Sequence, residues 1–160
     1  MKYLATVLFC VAVLVFSNEK IREEEKNCKE LCEILLFIRH VKREIGTFLK
    51  PLLKALEDFK AESDALTSLI LAVGKGENIK DAYLRLSDKF LVTDEIKAGM
   101  LKVFGTLSDS YFEESIKVLD SFEKELSERC RELEKKRAEN AKVIQIVSAT
   151  LCIAVIIAVI

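Results

Sequence analysis

Residues 143–160, VIQIVSATLCIAVIIAVI, contain no Asp, Glu, Lys or Arg. A helix of about 20 apolar residues rises by about 30 Å, which matches the hydrocarbon core of a bilayer. The stretch therefore predicts a transmembrane helix at 143–160. The rest of the chain is then expected to lie at a membrane.

A second apolar run, Tyr3–Phe16, lies near the other end and has two interpretations. Its short length and the sequence Val15-Phe16-Ser17 are typical of a secretory signal, and the alternative is an uncleaved anchor. Basic residues tend to stay on the cytoplasmic side of a span, and Lys135, Lys136, Arg137 and Lys142 precede the terminal segment. We therefore favour two anchors with a cytosolic domain between them. The expected division is an anchor or signal-like segment at 1–17, a cytosolic helical bundle at 18–142 and a transmembrane helix at 143–160.

The charge is confined to the middle of the chain, since Lys2 is the one charged residue outside 18–142. The formal net charge is −1, which gives no electrostatic case for a nucleic-acid partner. One Pro and five Gly leave few breakers, so the chain should be almost entirely helical. Five cysteines, an odd number, favour packed thiols in a reducing compartment over a disulfide framework.

The pattern predicts an all-α fold with a bundle of about six helices between the apolar ends. The first helix is expected from about residue 19 to Gly46, and a second from near Pro51 to Glu62. Capping residues begin three more helices, at Ser63-Asp64, Asn78 and Thr93-Asp94. The sixth follows a capping box at 110–113. Because no breaker follows, it should be continuous with the terminal transmembrane helix.

Heptad spacing predicts the buried faces of the two longest helices. The first helix carries Cys28, Leu31, Leu35, Ile38, Ile45, Leu49 and Leu52, interrupted by Lys42. The last carries Phe112, Leu119, Leu126 and Leu133, with Ile116, Phe122 and Cys130 beside them.

No catalytic, cofactor or metal site is expected. His40 is the one histidine, so neither a Ser-His nor a Cys-His pair has an obvious orienting network. Cys32 and His40 are eight residues apart, about 12 Å along a helix, which is too far for both to hold one zinc ion. The segment at 74–78, GKGEN, lacks the spacing of a phosphate loop and predicts a turn.

In the terminal segment, Ser148 and Cys152 are small residues four apart, a spacing that lets membrane helices approach closely. The basic residues Lys135, Lys136 and Arg137 are candidates for contact with anionic lipid headgroups.

Several spaced residues also resemble a known family. Glu44-Ile45 is followed by Pro51-Leu52 seven residues after the Glu, and Leu101, Phe104 and Gly105 form a Leu-x-x-Phe-Gly pattern before the last long helix. That helix runs through Glu139, Asn140 and Lys142 into the apolar end. This layout resembles the stage III sporulation protein AB family of endospore-forming bacteria. Family members tend to carry glycines where Ser148 and Cys152 stand here.

The resemblance implies a bundle similar to the cytosolic helical domain of the platform protein of type II secretion systems. It implies a non-enzymatic component of the channel complex between mother cell and forespore, in the mother-cell membrane around the forespore. The implied partners are membrane lipid, the secretion-type ATPase stage III sporulation protein AA and other channel subunits, with homo-oligomerisation left open.

A different class of function follows if 1–17 is cleaved, namely a tail-anchored extracytoplasmic helical binding protein. For the ATPase-docking function, Glu33, Arg39 and Glu44 on the first helix are candidate contact residues. An alternative role for Glu44 is to support the turn before Pro51.

Overall fold

The computed structural model describes residues 2–109 and 112–159. Across those ranges the chain forms six α-helices and one 3-10 turn, with no strand. The helices are α1 (Lys2–Gly46), α2 (Leu52–Glu57), α3 (Asp64–Gly74), α4 (Ile79–Leu86), α5 (Asp94–Asp109) and α6 (Phe112–Val159), and the 3-10 turn is Ser87–Lys89. The all-α prediction with six helices is therefore confirmed, including a last helix that continues into the apolar end.

The chain divides into two compact units. The bundle unit is Lys29–Cys130, and the terminal-helix unit combines Met1–Cys28 with Arg131–Ile160. The division by membrane location at residues 17 and 142 stays a prediction.

The helix ends in the bundle unit follow from local chemistry. Ser63 accepts a hydrogen bond from the Leu66 amide at the start of α3, and Asn78 accepts one from the Lys80 amide at the start of α4. Gly76 adopts φ +94° just after α3, a conformation that costs glycine little. The expected capping box at 110–113 includes Ser110 and Tyr111, which lie outside the described residues.

The turn between α1 and α2 contains an unusual backbone. Leu49 has φ 52°, in the left-handed region, and its side chain is 73% exposed. The Lys50 amide donates to the Glu44 carbonyl across this turn, and Pro51 is the N-cap of α2. Helix α2 ends at Glu57 and not at the expected Glu62, since residues 58–63 form the connection to α3.

The core of the bundle unit is aliphatic and aromatic. Phe37, Tyr83 and Phe104 lie in its centre, with ring centroids of Phe104 6.3 Å from Phe37 and 5.1 Å from Tyr83. The Tyr83 hydroxyl donates to the Lys97 carbonyl at 3.0 Å, and burial raises the pKa of that hydroxyl above its usual range. Helix α4 packs against both α3 and α5.

The heptad prediction places Ile45 and Leu52 correctly against the core and is wrong at Leu49. Cys28, Leu31, Leu35 and Ile38 are buried, whereas Leu49 is exposed because the helix has already ended. The buried face also includes Ile34, Phe37 and Val41, as the period of 3.6 residues requires. On α6, the prediction is confirmed at Leu119, Phe122, Leu126 and Cys130, which are buried. It is wrong at Phe112 and Leu133, which are exposed.

One helix of the described residues, α6, is long and apolar enough to cross a membrane, by length and composition. Its charged half belongs to the bundle unit up to Cys130, and its apolar half begins after Lys142.

Two glycines of α5 provide a matched test of packing. A Cβ at Gly99 would meet the ring of Phe122, which is buried, whereas a Cβ at Gly105 would meet only the Lys80 side chain at 3.8 Å. Replacement of Gly by Ala increases the intrinsic helix propensity equally at the two positions, by about 1 kcal/mol. The two variants therefore differ by the clash alone, and we expect Gly99→Ala to be less stable than Gly105→Ala by about 1–3 kcal/mol.

This difference is measured by urea denaturation of the full chain in detergent, followed by circular dichroism. Equal stability of the two variants would show that the Phe122 ring moves aside without cost.

Candidate functional site

In the terminal-helix unit, polar contacts between α1 and α6 show in which direction the two helices run. The Ser17 and Ser148 hydroxyls are 2.5 Å apart, the Asn140 amide donates to Glu24 at 3.4 Å, and Arg137 lies 3.8 Å from Glu25. Higher residue numbers on α1 pair with lower numbers on α6, so the two segments are antiparallel. The start of α1 and the end of α6 therefore lie at the same end of this helix pair.

The serine pair joins the two apolar segments. Ser17 Oγ lies 2.8 Å from the Val13 carbonyl, and Ser148 Oγ lies 2.7 Å from the Ile144 carbonyl. Each hydroxyl has one proton, so one serine donates to the other, which in turn donates to its own helix. Hydrogen bonds of this kind between membrane helices contribute about 0.6–2 kcal/mol. Ser148 is buried, as a close helix contact requires.

The other predicted residues of the terminal segment differ in their positions. The Cys152 side chain lies outside the described side chains, so its predicted packing is not tested. Lys135, Lys136 and Lys142 are exposed on α6, available to solvent or headgroups. Arg137 is half-buried and faces Glu25, so its charge is partly engaged within the chain.

A groove of about 500 Å³ runs beside the serine pair. Both apolar segments supply its walls, and Lys20 is its one charged lining residue among those that the structure describes. The lining residues are Ala12, Val13, Phe16, Ser17, Lys20, Val143, Ile144, Val147, Ser148 and Leu151.

In the bundle unit, the family-motif residue Glu44 braces the turn after α1. Its side chain is only 6% exposed, and its carboxylate lies 2.6 Å from the Lys50 ammonium. Lys50 also contacts Asp58 at 2.7 Å, which ties the turn to the end of α2. The hydrogen bonds from Lys50 and Arg43 hold the pKa of Glu44 below its usual range. Of the two roles considered for Glu44, the geometry matches support of the turn.

The remaining family-motif residues contribute packing. Phe104 is fully buried, and Ile45, Leu52 and Leu101 are half-buried against the core. Pro51 is exposed at the start of α2, and Gly105 is half-buried in α5. These positions therefore contribute to the packing and the turns of the bundle unit.

The other charged residues suggested for partner contact are also engaged within the bundle unit. The Glu33 carboxylate accepts hydrogen bonds from the Ser63 amide at 3.1 Å, just before α3. Arg39 donates to Glu123 at 2.8 Å, and Lys42 contacts both Asp120 at 2.7 Å and Glu123 at 2.6 Å. The bond from Lys42 lowers the pKa of Glu123, despite some desolvation.

One buried carboxylate was not anticipated from the sequence. Glu30 is 7% exposed and accepts a hydrogen bond from the Leu91 amide at 2.9 Å. Burial raises the pKa of Glu30, and the negative charge of nearby Glu33 raises it further. The hydrogen bond from Leu91 and the positive charge of Lys97 act in the opposite direction. Its position on the buried side of α1, between Cys28 and Leu31, was the available sequence signal.

The described residues contain no group of three or more His, Cys, Asp or Glu side chains that could hold a metal ion. His40 bonds through Nε2 to the Ala55 carbonyl at 3.0 Å, and its ring lies against Phe59. Cys28, Cys32 and Cys130 are thiols, two of them buried.

Glu30→Gln keeps an acceptor for the Leu91 amide and removes the ionisable group. Because the folded-state pKa of Glu30 lies above the unfolded value, its ionisation lowers stability as pH rises through that interval. We expect the stability of the Gln variant relative to the parent to increase from about pH 4 to about pH 7. Denaturation at several pH values measures this trend.

Glu123→Gln is the control of opposite sign, because the pKa of Glu123 is lowered in the folded chain. Its variant should be less stable than the parent at neutral pH, and the gap should close as pH falls. Parallel pH profiles for the Glu30 variant and the parent would contradict the role assigned to Glu30.

A family model described as stage III sporulation protein AB matches residues 2–160. No curated protein and no solved structure matches the chain. The expected likeness to the type II secretion platform domain therefore stays a prediction. The family match covers essentially the whole chain, from the start of α1 to the end of the apolar segment, and the chain belongs to the stage III sporulation protein AB family, whose name places it in sporulation.

Proposed function

We propose that this protein is a non-enzymatic membrane component of the channel complex between mother cell and forespore. In this proposal it docks a cytosolic secretion-type ATPase, stage III sporulation protein AA, to the membrane subunits. The terminal helices lie in the mother-cell membrane around the forespore, and the bundle unit lies in the mother-cell cytosol.

The observation that carries the proposal is the continuity of α1 and α6. Each helix contributes core residues to the bundle unit and then continues without Gly or Pro into an apolar segment. A helix of this kind transmits force along its axis better than a flexible linker does. This property suits a protein that connects a soluble motor to a membrane assembly.

Charge supports the orientation. Exposed Lys135, Lys136 and Lys142 precede the apolar part of α6, and basic flanks are retained on the cytoplasmic side. The antiparallel pairing of the terminal segments also fits this orientation, because the bundle unit then lies on the same side of both spans.

The docking surface is expected among side chains that the bundle does not use for itself. Glu33, Arg39 and Glu44 have partners within the bundle unit. Exposed apolar side chains, such as Leu36 on α1 and Leu84 on α4, are better candidates.

The second candidate function requires cleavage near Ser17, followed by export of the bundle. Ser17 lies within α1, and its hydroxyl contacts Ser148 on α6. Ser17 is thus part of a helix that continues to Gly46, and it contacts a second helix. This position supports an uncleaved anchor instead.

A cysteine at Ser121, which is exposed on α6, tests the orientation. Cys130 is buried and would resist labelling on either side of the membrane. In intact vegetative cells that produce the chain, a membrane-impermeant maleimide should label a cysteine appended after Ile160 but not Ser121→Cys. The unsubstituted chain is the background control.

The mass of the purified chain should include residues 1–17. Labelling of Ser121→Cys together with loss of those residues would establish the exported alternative.

A proline at Ala138, exposed on α6 in the terminal-helix unit, tests the continuity of the helix. It removes one backbone hydrogen bond and clashes with the preceding turn, at a cost of about 3 kcal/mol. In a spore former whose own family member is deleted, Ala138→Pro should reach the membrane but give far fewer heat-resistant spores than the parent. Ala138→Leu, a good helix former, is the matched control.

Normal sporulation with Ala138→Pro would show that the continuous helix is not needed. Normal sporulation after deletion of the protein itself would remove the proposed function altogether.

A further inference from the structure

We propose that the groove beside the serine pair binds one anionic phospholipid, with an acyl chain between the apolar segments and the phosphate at Lys20. The inference rests on the proposed function to the extent that the terminal helices are embedded in a membrane.

The walls of the groove suit a hydrocarbon chain. Val13 and Phe16 of α1 face Val147 and Leu151 of α6 across it, and Phe16 is 71% exposed. Its volume of about 500 Å³ lies in the usual range for sites that enclose a small ligand, about 300–1,000 Å³. An acyl chain in the groove makes dispersion contacts with these apolar walls.

The polar groups on the groove floor are already used. One of the Ser17 and Ser148 hydroxyls donates to the other, and the second donates to a carbonyl of its own helix. Their two protons are taken up within this network, so the floor has no donor left for a polar ligand. A hydrocarbon chain needs none.

Lys20 gives the groove its headgroup preference. Among the described residues it has no ion-pair partner, while the nearby acids Glu24 and Glu25 contact Asn140 and Arg137. It follows the apolar run of α1 by four residues, where a lysine stem can lie along apolar surface and its ammonium can reach the phosphate level. The unpaired cation at the end of an apolar groove is complementary to an anionic phospholipid.

The experiment is native mass spectrometry of the full chain in non-ionic detergent, with phosphatidylglycerol and phosphatidylcholine of identical acyl chains added in equal amounts. We expect one retained lipid per chain and preference for phosphatidylglycerol. Lys20→Gln should reduce the retained phosphatidylglycerol about fivefold and remove the preference, in line with one lysine–phosphate contact.

Two further variants distinguish recognition of the lipid headgroup from binding of the acyl chain. Lys142→Gln changes the same charge at the base of the other apolar segment, outside the groove lining, and should retain the preference. Val147→Phe fills the groove with a larger side chain at an exposed position and should reduce retention of both lipids.

Equal retention of both lipids by the parent, or an unchanged preference in Lys20→Gln, would overturn the inference. The inference would also be overturned if the parent forms a dimer and Val147→Phe loses the dimer but keeps its lipid. The groove would then hold a second copy of the protein. A chain that is extracted from membranes by alkaline carbonate would instead contradict the membrane placement itself.

Discussion

The constraint on which the structure depends is that an α-helix satisfies its own backbone hydrogen bonds. α1 and α6 use this property at their full lengths, 45 and 48 residues. In hydrocarbon an unpaired backbone group costs several kcal/mol, so a linker between a soluble domain and a span must remain in water. Neither helix needs one. The same two elements that supply core residues to the bundle unit can therefore enter an apolar phase with no change of secondary structure.

Several carboxylates of α1 form contacts within the chain. Glu30 accepts a hydrogen bond from the Leu91 amide, and Glu33 accepts one from the Ser63 amide before α3. Glu44 forms an ion pair with Lys50 in the turn before α2. Glu30 and Glu33 each accept from a backbone amide in a connection between helices, and Glu44 pairs with a side-chain ammonium. The charge on this helix consequently says little about a partner.

The sequence was sufficient to predict features encoded locally. The helix count, the caps at Ser63 and Asn78 and the unbroken α6 follow from residues within a few positions of one another. The pairing of Ser17 with Ser148 and of Glu30 with Leu91 joins residues far apart in the chain, and neither has a local signature. Lys20 could not be recognised as part of a groove, because the groove exists only once α1 and α6 lie side by side.

Leu49 has a consequence for how the family varies. Its left-handed backbone costs a residue other than glycine about 1–2 kcal/mol, and its exposed isobutyl group gains nothing from burial within the chain. Thermodynamics alone would let this position drift to Gly or Asn over evolutionary time. Retention of leucine across many relatives would therefore reveal selection on the side chain, whereas frequent glycine would mark the turn as a simple connector.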